Sequence, residues 1–357
     1  MALTFFVGTY SRSVGGFEPA GEGIHRFAFD PDTGEMSAAS LAAKSTNPSY
    51  LSLHPNGRIL FAVNEVSAEA GSAVEAYAIG ETGDLEPLNR QRIDGEFPCH
   101  LACDPHGRWL ATAQYGTGDF ALFPLNADGT IGALATHFKR SGTGPNPKRQ
   151  EGPHAHYVAF DADGTRLHGV DLGTDRVATY ATPASDTSSQ AQIVECAVPA
   201  GAGPRHMAIT TDGGVALVAN ELGETISILT ADNDSGGWQH QEAVEAFPVP
   251  AGTDGSVAAI RLSPDERHVY ITGRRQSHVA VLAFDRASGR LTKTGETESG
   301  GLEPRDMIVT ADGRWVLTAN QNSNCVVSFS RDAATGALTP SGHEIEIGTP
   351  VALLEWR

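Results

Sequence analysis

The chain has 357 residues, with 25 basic against 43 acidic side chains and a formal net charge of −18. That balance opposes attachment to a polyanion, so no nucleic-acid partner is expected, and it favours solubility. Four cysteines, Cys99, Cys103, Cys196 and Cys325, are too few and too irregular for a disulfide framework or paired zinc knuckles; reduced thiols and no metal are expected.

The chain starts with MALTFFVGTY, which has no basic flank. Its short apolar run reads as a strand, not as an export signal or a membrane span, and points to a cytoplasmic protein with no membrane partner. GIHRFAFDPDTGEM supplies the next strand and turn. From Pro48 a phrase begins that recurs to the end: a short apolar strand, a Gly-centred turn, then a second strand closing in amides and charges. It reads PSYLSLHPNGRILFAVNE from Pro48, PCHLACDPHGRWLATAQY from Pro98, PHAHYVAFDADGTRLHGVD from Pro153, PRHMAITTDGGVALVANE from Pro204, GSVAAIRLSPDERHVYITGR from Gly255 and PRDMIVTADGRWVLTANQ from Pro304. Between the second and third copies lies SGTGPNPKRQEG, Ser141 to Gly152, the longest irregular stretch. Lys148 in that stretch lacks the G-x-x-x-x-G-K-[ST] order of a phosphate loop, so the segment reads as an ordinary rim loop, with an active-site lid as the lesser alternative. PVALLEW, Pro350 to Trp356, ends the chain as another opening strand.

Registered on Gly57, Gly107, Gly164, Gly213, Glu266 and Gly313, the copies step by 50, 57, 49, 53 and 47 residues. Such steps match a four-stranded propeller blade. Apolar residues alternate or run in short blocks, and no 3.6-residue period is sustained. The predicted fold is therefore all-β: a single domain over residues 1–357, a seven-bladed β-propeller of four-stranded blades. Six blades are whole, and strands from both termini make the seventh and close the ring, which removes an open edge.

In such a blade the start of the first strand and the end of the second meet at one rim. The starts carry Ser49, His100, His154 and His156, Arg205 and His206, Ser256, and Arg305 and Asp306; the ends carry Asn64 and Glu65, Gln114 and Tyr115, Asp171, Asn220 and Glu221, Arg274, and Asn320 and Gln321. Convergent polar groups in a concave body are the default small-molecule site. Asn64, Asn220, Asn320 and Asp171 read as turn-bonding residues, and Arg305 with Asp306 as an ion pair between blades. Arg205, Glu221, Arg274 and the pair His154/His156 are harder to place without a ligand. His154 and His156, two apart on a strand, are expected to face one side. Two arginines hold an anion or an oxyanion, and a His or Glu beside them moves a proton. The competing reading is an ion-pair network between blades.

The phrases FVGTY, EGPHAHYV, GPRHMAI, ANELGETISIL and PRDMIVTADGRWVLTANQNSNCVVSFSRDAATGAL resemble, over nearly the whole chain, the cytoplasmic lactonase family of seven-bladed propellers, which includes propeller-type 6-phosphogluconolactonases and the 3-carboxy-cis,cis-muconate lactonizing enzyme. The resemblance implies catalytic roles for His154, with His156 a close second, and for Arg205, Glu221 and Arg274. His100, His156, His206, Arg275, Arg305 and Gln321 stand as the substrate-binding set. At Gly273–Arg274–Arg275 the sequence departs from the expected Ser-Asn-Arg, which leaves open which arginine serves. The implied activity is hydrolysis of a sugar-acid lactone, 6-phosphogluconolactone first, by a cofactor-independent enzyme, monomeric or homo-oligomeric. The alternatives are a cycloisomerase of the carboxymuconate type and a noncatalytic scaffold.

Overall fold

The computed structural model describes residues 2–13, 16, 18–183, 193–250 and 252–356. They form seven four-stranded antiparallel sheets, and the only helical element among them is a single 3-10 turn at Gln321–Ser323. The fold is all-β and has the blade composition of a seven-bladed propeller. Six sheets follow the six copies in order, each built from four consecutive strands. The remaining one joins the two ends of the chain: Pro350–Trp356 pairs with Leu3–Thr9, which continues to Gly23–Phe29 and Ser40–Lys44. Among the described residues no helix is long and apolar enough to cross a membrane.

Two compact units divide the chain, Met1–Leu51 with Ile79–Glu86 and Val244–Arg357, and Ser52–Ala78 with Pro87–Ala243. In both, second strands are buried on both faces and therefore read as apolar runs: Ile59–Asn64, His268–Gly273 and Trp315–Asn320 are buried at every residue. Fourth strands are the reverse. Leu85–Arg92, Gly237–Glu245, Arg290–Glu298 and Leu338–Glu346 alternate exposed polar and charged residues, the composition that blunts an edge.

Apolar clusters fill the spaces between consecutive sheets within each unit. In the first unit, Phe5 stacks on Phe27 at 5.4 Å and meets Phe29 edge-on at 5.5 Å, and both pack with Trp315, Leu317 and Leu353. In the second, Phe120, Leu122 and Phe138 of the second copy pack with Ala155, Val158 and Tyr180 of the third; Val170 and Val177 of the third pack with Met207 and Val218 of the fourth. Within each unit these sheets thus bury a face on the next sheet in the ring, as blades must.

The turn used to register the copies is a real structural repeat. Gly57, Gly107, Gly164, Gly213 and Gly313 all have φ between 67° and 72°, and Glu266 takes the same left-handed conformation at 53°. Each donates its N–H to the carbonyl three residues back, from Gly57 to His54 through Gly313 to Thr310. The position demands positive φ, and glycine meets that demand in five copies of six.

Buried ion clusters hold parts of the first unit. Arg331, whose side chain is almost wholly buried, donates to both Asp265 oxygens at 3.0 and 2.9 Å, to the Tyr270 hydroxyl at 2.8 Å and to the Gly313 carbonyl at 3.0 Å. Burial works against the Asp265 charge, but the bonds from Ser263 and Arg331 prevail and lower its pKa to about 2. A depressed carboxyl contributes stability above its unfolded pKa and loses it as pH falls through the folded one. The difference in thermal midpoint between wild type and Asp265→Asn is therefore expected to shrink as pH is lowered from about 4 to about 2. A gap that stays constant over that window in thermal melts would show that Asp265 does not act through its charge. At the start of the sixth copy, Asp306 takes Arg261 at 2.6 Å, and Arg305 lies over the Tyr10 ring at 5.2 Å.

Candidate active site

In four of the sheets the first strand opens with one extra residue. Pro98 pairs with Gln114 but His100 with Ala113; Ala155 pairs with Asp171 but Tyr157 with Val170; Pro204 pairs with Asn220 but His206 with Ala219; Pro304 pairs with Asn320 but Asp306 with Ala319. The bulged residues are Cys99, His156, Arg205 and Arg305. A bulge breaks the two-residue alternation and re-aims a side chain. This corrects the expectation that His154 and His156 share a face by simple strand period. It also corrects the register of the third copy, where Ala155, not Pro153, takes the place of Pro98, Pro204 and Pro304.

A second repeated feature marks the ends of the second strands. The N–H of Tyr115 bonds Phe97 O, that of Leu172 bonds His154 O, that of Glu221 bonds Gly203 O, that of Arg274 bonds Ser256 O, and that of Gln321 bonds Glu303 O. These five side chains occupy one equivalent position. Arg274 therefore holds the place, in its own sheet, that Glu221 holds in the fourth copy.

Within the second unit these two positions meet. Arg205 Nε lies 3.1 Å from Glu221 Oε2, with the two side chains 3% and 4% exposed. The other carboxylate oxygen, Oε1, takes a 2.7 Å bond from Nη2 of Arg149, a residue of the segment before the third copy. The same Nη2 reaches the Tyr115 hydroxyl at 3.4 Å. One carboxylate thus sits between two guanidinium groups, an arrangement that favours its ionised form. Burial opposes the Arg149 charge, yet Glu221 and Tyr115 outweigh it and hold Arg149 above its ordinary pKa. The Tyr115 hydroxyl is pushed up by burial, with Arg149 acting in the opposite direction. Arg205 also places Nη1 2.9 Å from His206 Nε2; a guanidinium only donates, so that nitrogen accepts.

His154 stands just ahead of its strand. Its backbone N–H donates to Asp171 Oδ1 at 2.8 Å, its ring stacks on Tyr115 at 4.5 Å, and Nδ1 lies 2.9 Å from the Tyr115 carbonyl. A carbonyl only accepts, so Nδ1 is placed as a donor; Nε2 faces the Glu151 carboxylate at 3.2 Å, and that carboxylate is 59% exposed and can turn to solvent. Asp171 is fixed in turn by Arg140 at 2.9 Å and by Thr174 at 2.6 Å. His156 meets Tyr115 edge-on at 5.6 Å and His206 at 5.4 Å, with Nδ1 3.7 Å from Cys99 Sγ. His100 packs on Tyr157 at 4.0 Å and lies 5.5 Å from His206.

Of the residues expected from sequence, His100, His154, His156, Arg205, His206 and Glu221 are brought together in the second unit. The others belong to the first. There Arg274 donates to Ser256 O at 3.0 Å and lies 3.8 Å from Glu303; Arg275 is exposed and donates to Asp254 O; Gln321 bonds Asn322 at 3.1 Å. Among the described residues no group of three or more His, Cys, Asp and Glu side chains is arranged to hold a metal ion, and all four cysteines are free.

A family model described as "Lactonase, 7-bladed beta-propeller" matches residues 4–355. The chain belongs to that lactonase family. It is similar to the 6-phosphogluconolactonase of Bacillus subtilis (strain 168), with 31% identity over 98% of this chain and 97% of that protein. Two solved structures are close in shape. A putative 6-phosphogluconolactonase from Bacteroides fragilis is 32% identical with a TM-score of 0.90, over 99% of this chain and 98% of the other; the periplasmic gluconolactonase of Pseudomonas aeruginosa is 28% identical with a TM-score of 0.90, over 100% and 99%.

Two residues of this lactonase-family chain were not among those singled out by sequence. Arg149 and Glu151 lie in the Gly- and Pro-rich stretch that reads as an ordinary loop, where Lys148 drew attention and Arg149 did not. The stretch is anchored: Gln150 is fully buried, and its amide donates to Leu172 O at 2.9 Å and to Asp175 Oδ1 at 2.8 Å. A signal was present in the 57-residue step. An insertion that runs directly into the His154 phrase is placed to deliver a side chain beside it.

Proposed function

We propose that this protein hydrolyses a sugar-acid lactone, with 6-phosphogluconolactone the leading candidate. The observation that carries the reading is the buried carboxylate of Glu221 clamped by Arg149 and Arg205 and linked to His154 through Tyr115, whose hydroxyl Arg149 reaches at 3.4 Å and on whose ring His154 stacks, in a chain of the lactonase family. The proposal is built on the second unit alone.

His154 is the base. With Nδ1 fixed on the Tyr115 carbonyl, Nε2 takes a proton from a water molecule that displaces the exposed Glu151 carboxylate and attacks the lactone carbonyl carbon, and Glu151 then pairs with the imidazolium so formed. Arg205, held in place by Glu221, donates to the oxyanion of the tetrahedral intermediate. Collapse of that intermediate breaks the ring C–O bond, and the imidazolium returns its proton to the departing alkoxide. The product is the open hydroxy acid, ionised at neutral pH, so each turnover releases one proton to solvent.

The relatives reported above are lactone hydrolases by name, which supports hydrolysis over cycloisomerisation. The test is a panel of aldonolactones, phosphorylated and not, together with muconate-type acids, scored for proton release and run in ¹⁸O water. Release of acid with one solvent oxygen in the product carboxylate is expected for the sugar lactones. Turnover of dicarboxylates alone, without solvent oxygen, would replace this reading with a cycloisomerase; no turnover of any of them would point to a scaffold.

A further inference from the structure

We infer that Arg149 is a specificity-determining residue: its guanidinium binds an anionic group, a phosphate monoester or carboxylate, carried by the lactone away from the reacting carbonyl. The inference rests on the lactonase reading and adds to it a residue and a substrate class.

Three observations carry it. The first is exposure. Arg205 and Glu221 are buried as a pair, whereas the Arg149 side chain is 31% exposed and closes that pair on the solvent side. The second is the use of its donors. Both contacts of Arg149 side-chain nitrogen, to Glu221 and to Tyr115, involve Nη2 alone. Nη1 and Nε are left over from a fork of five N–H groups that suits a planar or tetrahedral oxyanion. The third is charge. Arg149 and Arg205 balance Glu221 and the nearby Glu151, so this set is locally neutral in a chain with a net charge of −18. A neutral set with an outward-facing guanidinium is where an anion meets less repulsion than elsewhere on an acidic protein.

The segment that delivers Arg149 is built to keep it there. Gln150 Oε1 takes the Asn146 N–H at 3.1 Å, and the Gln150 amide holds Asp175. Asp175 is itself buried and accepts the N–H groups of Gly201 at 2.7 Å and Gly203 at 2.8 Å, the latter two residues ahead of Arg205. One buried carboxylate therefore ties the backbone next to Arg149 to the backbone next to Arg205. A guanidinium so anchored binds an anion with little ordering cost.

The experiment compares Arg149→Met with wild type on a phosphorylated aldonolactone, the same lactone unphosphorylated, and a lactone bearing a carboxylate. Loss of a charge-assisted contact raises KM for the charged substrates by about 10- to 100-fold. The ratio of kcat/KM, charged over uncharged lactone, is expected to fall about tenfold or more, and the larger fall identifies phosphate or carboxylate as the group bound. A ratio within twofold of wild type overturns the inference, whether the separate activities hold or drop together. Should Arg149→Met not fold, Arg149→Lys keeps the charge and loses the fork; a fall of more than twofold in the charged-over-uncharged ratio of kcat/KM supports the assignment, and an unchanged ratio overturns it. Inorganic phosphate gives a readout free of turnover. It is expected to raise the melting temperature of wild type and not of Arg149→Met. Wild type that phosphate protects but that opens no lactone would sink the hydrolase reading while leaving the anion site in place.

Discussion

Glu221→Gln is expected to cost about 3–5 kcal/mol of folding stability and to lower kcat/KM for the lactone by about 10²- to 10³-fold. The reason is what the substitution leaves behind. Arg205 is 3% exposed, and without the carboxylate its charge has been taken out of water with no counter-ion. Arg149 loses its anchor in the same step but keeps a route to solvent. The converse change, Arg205→Met, is expected to cost less, because Glu221 retains Arg149 at 2.7 Å. The double variant, with neither buried charge, is expected to be more stable than the sum of the two losses, by about 0.5–3 kcal/mol. Urea unfolding of the four proteins measures that coupling, and kcat/KM on the folded ones measures the catalytic loss. Additivity within about 0.5 kcal/mol would mean that the two side chains do not share an interaction in solution. Full lactone turnover in folded Glu221→Gln would assign the cluster to stitching strands together and leave the oxyanion without its arginine.

The Arg205–Glu221 pair was legible in the sequence because antiparallel pairing obeys a simple rule. Two strands joined by one turn bring residues 16 apart side by side whatever lies between, and the turn announces itself through a residue that must take positive φ. The fold was legible for the same reason six times over. What the sequence does not carry is the bulge. Nothing in the composition of PRHMAI or HAHYVAF marks Arg205 or His156 as an extra residue, since the extra residue costs the ladder one pairing and changes no pattern of burial that a two-residue period would flag. The third copy shows the consequence: Pro153 imitates the prolines that open other copies, while the backbone begins two residues later at Ala155. Arg149 was hidden differently. It sits in an insertion with no counterpart in the other copies, so a repeat-based reading has nothing to compare it with, and its partner Glu221 lies 72 residues away. In the fifth copy Arg274 N–H bonds Ser256 O as Glu221 N–H bonds Gly203 O, and Arg275 is exposed, a difference of placement that the doubled letters do not announce.

His154→Gln is expected to lower kcat by about 10²- to 10⁴-fold with KM within about threefold of wild type. The split between the two constants distinguishes a base from a residue that merely shapes the pocket. Gln is the informative replacement, because its amide preserves a donor for the Tyr115 carbonyl and has no nitrogen able to accept a proton. His156→Gln is expected to do much less. That ring packs against Tyr115, His206 and Cys99, and its Nδ1 lies against the Cys99 thiol at 3.7 Å. His154→Ala provides the sharper control. If Nε2 is the proton acceptor, exogenous imidazole restores part of the lost rate in a saturable manner, whereas a lost packing contact is not restored by a diffusing base. Glu151→Gln separates the last component: an exposed carboxylate facing Nε2 contributes through charge alone, so its removal is expected to cost about tenfold or less and to cost least at high salt, where exposed charges are screened. Loss of activity in His156→Gln equal to that in His154→Gln, with no imidazole rescue of His154→Ala, would move the base from the residue that stacks on Tyr115 to the one at the bulge.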